Sequence, residues 1–230
     1  MKSSTPKNAI ILGATGAVGT QVLQSLLQIS QIEKLTLLGR RPVPNITANH
    51  VEQHKVDIFE PKTYGDLLSN HQTAICTLGV GQPSKMSKED FLKIDKQAVL
   101  DFAVACKKSG VQHFELLSSV GIDANSSSFF LRAKGELVEE IKALGFERFS
   151  VFQPSMILTP TNRYGFLQGV TLKLWPLLKP LLGGGFRKYR GIPVEVLGEA
   201  MAKNILKNNK GMEYLQWDDF YAIVEENALV

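Results

Sequence analysis

The chain has 230 residues, 44% of them hydrophobic and 21% charged, with a formal net charge of +4. That length can bury one large α/β core, and the balance excludes a disordered chain. So small a charge does not by itself indicate nucleic-acid binding, and Cys76 and Cys106, in no C-x-x-C or metal-spaced set, read as buried free thiols.

Met1 to Lys7 is polar and lacks a signal-peptide hydrophobic region, which implies a reduced, cytoplasmic setting. Asn8 to Leu12 is an apolar run that meets Gly13-Ala14-Thr15-Gly16-Ala17-Val18-Gly19. Apolar residues then recur with helical period at Val22, Leu23, Leu26 and Leu27, so the segment reads as strand, tight turn, helix. The spacing is G-x-x-G-x-x-G. Gly13 turns the chain, Gly16 leaves bare backbone for a pyrophosphate, and Gly19 lets the helix pack close to the strand. The helix N-terminus adds free N–H groups and positive dipole charge. Gly13, Thr15, Gly16, Ala17, Val18 and Gly19 are therefore candidate dinucleotide-binding residues; a purely structural turn is the other reading.

Lys34 to Leu38 reads as a second strand ending in Gly39-Arg40-Arg41. Dinucleotide folds commonly place an acidic residue here for the ribose 2′-hydroxyl. A carboxylate repels a 2′-phosphate, whereas a guanidinium binds it bidentately, so Arg40 and Arg41 favour NADP(H) over NAD(H). The alternative is an exposed basic turn. Val51 to Ile58 suits a third strand; Asp57 and Ile58 would lie near the adenine, or Asp57 would cap the following turn. His50 and His54 are spaced like one helical face, but Val51 and Val56 around them favour a strand, which argues against a metal pair. Thr63 to Ser69 reads as a short helix, and Thr73 to Leu78 as a fourth strand. Leu78 and Gly79 follow as cofactor candidates, because bare backbone at a strand's end permits close approach.

Ser87 with Asp90 opens a helix through Lys108, with Phe91, Ile94, Val99, Phe102 and Cys106 as its buried stripe. His113 to Leu117 is a fifth strand, followed by Ser118 and Ser119; a helix spans Phe129 to Leu144; Phe149 to Phe152 is a sixth strand, closed by Gln153-Pro154-Ser155. Alternating strands and helices predict a doubly wound parallel sheet with helices on both faces, one α/β domain whose core spans about 7–158. Residues 159–230 add substrate-side elements: an apolar stretch from Val170 to Leu182, a basic cluster at 186–190, a helix over Val194 to Leu206, a strand over Met212 to Trp217 and a helix over Asp218 to Glu225. Core, substrate-pocket wall and dimer surface compete as readings of the apolar stretch. Its prolines and lysines argue against a membrane span.

Gly13 to Gly19, Leu38 to Arg41, Val56-Asp57, His113 to Ser119, Lys134-Gly135-Glu136 and Ser150 to Pro154, in this order, resemble the atypical short-chain dehydrogenases. The likeness is nearest their Tat-interacting oxidoreductase-like branch. It covers nearly the whole chain and implies a Rossmann fold and NADPH binding. The superfamily uses a Tyr-x-x-x-Lys pair and a serine at the fifth strand's end. By that resemblance Lys134 binds the nicotinamide ribose, and Ser119 or Ser118 orients a carbonyl. Pro154 keeps the family's turn, although Ser155 stands where the family has glycine. The tyrosine position is occupied by Phe130, which has no hydroxyl and cannot act as a general acid.

Three functions follow. One is an NADPH-dependent oxidoreductase of a small carbonyl or quinone-like substrate, with Tyr64, Tyr164 and Tyr189 as alternative proton donors. Another is a non-catalytic NADP(H)-binding sensor or scaffold; the last is a different chemistry such as epimerisation. The expected partner is an unidentified small molecule, with no nucleic acid, no membrane insertion and a homodimer as an option.

Overall fold

The computed structural model describes residues 7–81, 85–160 and 183–226. Tyr164 and the stretch from Val170 to Leu182 lie outside them. Seven strands form one parallel sheet: β1 (Lys7–Leu12), β2 (Ile32–Gly39), β3 (Val51–Lys55), β4 (Thr73–Cys76), β5 (His113–Leu117), β6 (Arg148–Phe152) and β9 (Gly211–Leu215). Their order is β3-β2-β1-β4-β5-β6-β9. Two strands that periodicity did not reveal, β7 (Ile157–Leu158) and β8 (Ile192–Pro193), make a separate parallel pair.

Alternation along β1 builds both halves of the core. Ala9 and Ile11 face one side, where they join α1 (Ala17–Leu26), α5 (Val194–Asn204) and α6 (Trp217–Glu226). Ile10 and Leu12 face the other, with α3 (Ala98–Lys108) and α4 (Phe129–Ala143). A strand buried on both faces needs apolar residues at every position, and β1 supplies them from Ala9 to Leu12. α1 buries Val18, Val22, Leu23 and Leu26, so three of the four expected positions are inside; Leu27, the fourth, is the C-cap and half-buried.

The helix opening at Ser87 carries its expected cap: the Ser87 hydroxyl accepts from the Asp90 N–H at 3.0 Å. That contact stabilises a helix start by about 1 kcal/mol. After α2 (Lys88–Phe91) the helix widens into a π-helical turn, Leu92–Gln97, before α3. Here one expectation fails. Ile94 is half-buried, whereas Asp95 is 3% exposed. The inward position one turn beyond Phe91 is 95, and a search for apolar residues alone passes over it. The short helix expected at Thr63 to Ser69 is two 3₁₀ turns, Pro61–Thr63 and Gly65–Leu68.

β1 pairs with β2 on one side and with β4 on the other. The chain runs outward from β1 through β2 to β3, then crosses back to β4 and runs outward the other way. Ligands of open α/β sheets bind at such a switch point, at the strands' carboxyl ends.

Candidate dinucleotide site

The glycine turn leaves the carboxyl end of β1 at the switch point. Gly13 has φ +102°, a left-handed conformation that a side chain resists. A Cβ on Gly19 would stand 2.2 Å from the Gly13 carbonyl oxygen, so only glycine lets α1 seat against the turn. Gly16 is the N-cap of α1, and no side chain caps that end. Among the described residues its Cβ would meet only the Gly13 oxygen, at 3.3 Å. Bare backbone before uncapped N–H groups matches the needs of a pyrophosphate, and these residues fit the expected group. Thr20 does not occupy that space, because its hydroxyl donates back to Gly16 O at 2.7 Å.

Arg40 and Arg41 follow β2, and both are exposed. Neither forms an ion pair among the described residues. Arg41 lines a cleft of about 690 Å³ together with Thr15, Thr20 and Asn45, which brings it beside the glycine turn; Arg40 does not line that cleft. Asp57 performs the simpler of its two expected tasks: its Oδ1 accepts from the Phe59 N–H at 2.9 Å and caps the turn after β3. Ile58 beside it is buried. Leu78 and Gly79 follow β4 and lie next to Gly13, whose Cβ would meet Leu78 N at 2.9 Å.

The serine loop and the Gln-Pro-Ser turn are joined through backbone. Ser118 N–H donates to Phe152 O at 2.8 Å, and Val120 N–H to Pro154 O at 3.0 Å. Both serines are half-buried, and Ser119 Oγ donates to Val120 O across a long 3.5 Å contact, its one hydrogen bond among the described residues. Gln153 is drawn to the far side, where its Oε1 accepts from Gln216 Nε2 at 2.9 Å.

Lys134 projects from α4 and its ammonium meets Asp95 Oδ1 at 3.0 Å. Sequence reasoning missed Asp95. The usable signal was a lone acid inside an apolar stripe, since a buried carboxylate has to be paired. Phe130, one turn before Lys134, packs edge-on against Phe91 at 4.8 Å and also touches Phe129. Lys134 Nζ lies 6.0 Å from the same Phe91 ring, so Phe130 and Lys134 share a face. The place of the superfamily's tyrosine is thus occupied by an aromatic cluster of Phe91, Phe129 and Phe130.

Of the alternative donors, Tyr64 is ruled out. It is 1% exposed, packs against Phe102 in the core, and burial raises its pKa far above the ordinary value. It does not swing into the site. Tyr189 sits on the 3₁₀ turn Gly184–Tyr189 beside Phe186, on the basic cluster. Cys76 and Cys106 are free and buried, as expected, and burial pushes the Cys76 thiol up to about 12. No set of three metal-ligating side chains occurs among the described residues.

A family model described as NAD(P)H-binding matches residues 13–147. Protein HTATIP2 of Rattus norvegicus is 32% identical over 213 residues, 91% of this chain and 86% of that protein. The mitochondrial protein FMP52 of Meyerozyma guilliermondii is 32% identical over 178 residues, 74% of each chain. Among solved structures, MoeE5 in complex with UDP-glucuronic acid and NAD superposes with a TM-score of 0.70 at 16% identity, covering 90% of this chain and 75% of that one. The oxidoreductase ylbE from Lactococcus lactis gives 0.64 at 15% identity, with 96% and 97% covered. The structural likenesses establish the Rossmann-type fold. The sequence matches establish more, for they show that the chain belongs to the NAD(P)H-binding family to which that model corresponds.

Proposed function

We propose that this protein is an NADP(H)-dependent oxidoreductase of a small carbonyl or quinone-like substrate, working without the superfamily's tyrosine. The observation that carries the cofactor reading is that Arg41 shares a cleft with Thr15, which stands next to the uncapped, glycine-rich start of α1. When bound, the cofactor supplies hydride. Gly13, Thr15, Gly16, Ala17, Val18 and Gly19 would take the pyrophosphate, Arg40 and Arg41 the 2′-phosphate, Asp57 and Ile58 the adenine edge, and Leu78 and Gly79 the adjoining ribose. Lys134 would hold the nicotinamide ribose, and Pro154 would shape the turn beneath the ring. Ser119 or Ser118 would orient the acceptor's oxygen, with its proton drawn from water.

The preference is tested by fluorescence titration. NADPH is expected to bind more tightly than NADH, and Arg40→Ala with Arg41→Ala to lower NADPH affinity by about tenfold or more while sparing NADH. Equal affinity for the two in the natural protein would remove the argument from the arginines.

A second reading, a non-catalytic NADP(H) sensor or scaffold, is favoured by the aromatic patch around Phe130. Phe130→Tyr separates the two. A positioned proton donor contributes roughly 10²–10⁴-fold to rate. The variant keeps the ring packing and adds a hydroxyl on the face of Lys134. The oxidoreductase reading expects slow turnover of an aldehyde and quinone panel by the natural protein, and a gain in kcat in the variant. Tight NADPH binding with no turnover by either protein supports the sensor reading. Brisk natural turnover with no gain would mean that the proton comes from another donor.

A further inference from the structure

We propose that Asp95 is a positioning residue that joins the two halves of the dinucleotide site. The inference rests on the cofactor reading above. The two carboxylate oxygens serve different halves. Oδ2 accepts from the Val80 N–H at 2.8 Å, and Oδ1 takes the Lys134 ammonium at 3.0 Å. Val80 follows Leu78 and Gly79 in the loop after β4, and Lys134 stands on α4, so one carboxylate bridges the element assigned to the adjoining ribose and the one assigned to the nicotinamide ribose. The loop is packed onto the carboxylate, since a Cβ on Gly79 would lie 3.2 Å from Asp95 Oδ1.

Burial gives the arrangement its force. The Asp95 side chain is 2% exposed and that of Lys134 19%. A carboxylate so enclosed needs its partners, and removing one leaves an uncompensated charge. Lysine has three N–H donors, and the bond to Asp95 uses one, which leaves two for ribose hydroxyls. A free lysine loses considerable rotamer freedom when a ligand orders it. Asp95 imposes that order beforehand, so less is lost when a ligand arrives. The π-helical turn Leu92–Gln97 surrounds the residue, and such turns frequently mark functional sites. The charge at position 95 therefore fixes where the ammonium stands, while its hydrogen-bonding capacity fixes the Val80 loop.

Asp95→Asn separates these two tasks, because an asparagine oxygen still accepts from Val80 but no longer carries charge for Lys134. The natural protein, Asp95→Asn, Lys134→Met and the double variant are titrated with NADPH and with adenosine 2′,5′-bisphosphate, which has the adenosine half but no nicotinamide ribose. Melting temperatures check that each is folded. Asp95→Asn is expected to lose about tenfold in NADPH affinity, the scale of one charge-assisted hydrogen bond, and to hold the bisphosphate within about twofold. On the Lys134→Met background it is expected to add less than about twofold, as coupled partners do. Should Asp95→Asn fail to fold, Asp95→Glu keeps the charge but displaces the ammonium, and NADPH alone is expected to bind several-fold more weakly. Equal weakening of both ligands, or losses that add to those of Lys134→Met, would overturn the inference. Failure of the natural protein to bind either ligand would remove the cofactor reading and this inference with it.

Discussion

Glu115 has no exposed surface, although it sits in the middle of β5. Its Oε1 accepts from Asn204 Nδ2 at 2.8 Å, and its Oε2 has no partner among the described residues. His113 approaches no nearer than 3.6 Å, and burial holds that imidazole neutral well below its usual range. The nearby Arg148 guanidinium is already bonded to Glu213. Burial therefore pushes the Glu115 carboxyl up to about 8, against the smaller downward effects of Asn204 and Arg148. A group with a raised native pKa contributes stability that is complete below its unfolded value and is lost as pH rises through the native value. The window here runs from about 4.5 to about 8. Glu115→Gln mimics the protonated acid at every pH. Its advantage over the natural protein is expected to grow across that window, by an amount on the order of 5 kcal/mol at most. Denaturant unfolding at pH 5, 7 and 9 measures it. A constant difference between the two proteins would show that Glu115 does not take up a proton on folding.

At the scale of elements, legibility followed chemistry. The β1 strand, the glycine turn and α1 were readable because three signals coincide there: an apolar run, glycines at close approaches, and helical period. Ser87 was readable because a capping serine has a local partner three residues on. Asp95 was not, because its meaning comes from Lys134, which lies 39 residues away. The β7–β8 pair, two residues in each strand, is too short to show a period. β9 was expected as a strand, but its place beside β6 depends on contacts such as Arg148 with Glu213, which no local pattern reveals. Of the candidate site, the cofactor end was legible in residue types. The proton-supplying end was legible only as the loss of a tyrosine. Tyr64 shows why: its surroundings, not its presence in the chain, decide whether its hydroxyl is usable.

The whole molecule divides its tasks between the two edges of the sheet. The candidate site gathers at the carboxyl ends of β1, β4, β5 and β6. The opposite edge carries a polar bolt centred on Arg148, the first residue of β6, which is 4% exposed. Its Nε and Nη2 donate to Glu213 Oε1 on β9 at 2.9 and 2.7 Å. Nη2 also donates to Asn204 Oδ1 at 2.6 Å, and Nη1 to the carbonyls of Asn204 and Lys207 at 2.8 and 2.9 Å. One guanidinium thus ties β6 to β9 and satisfies carbonyls at the end of α5, where a cation also suits the helix dipole. Arg148→Met fills the space but leaves those carbonyls unsatisfied and Glu213 without its counter-charge, although Ser150 Oγ and Asn209 Nδ2 still donate to it, and breaking such a buried pair typically costs about 3–5 kcal/mol. For a chain of this size the melting temperature is expected to fall by roughly 6–20 °C. Because the bolt and the cofactor residues share no partner among the described residues, NADPH affinity measured well below the transition is expected to stay within about twofold of the natural value. Calorimetry and fluorescence titration on the same preparation read the two quantities separately. A variant that keeps its melting temperature would show that the bolt stabilises nothing. A variant that loses stability and NADPH affinity together would show that β5 and β6 transmit strain along their length, and that the two edges do not act independently.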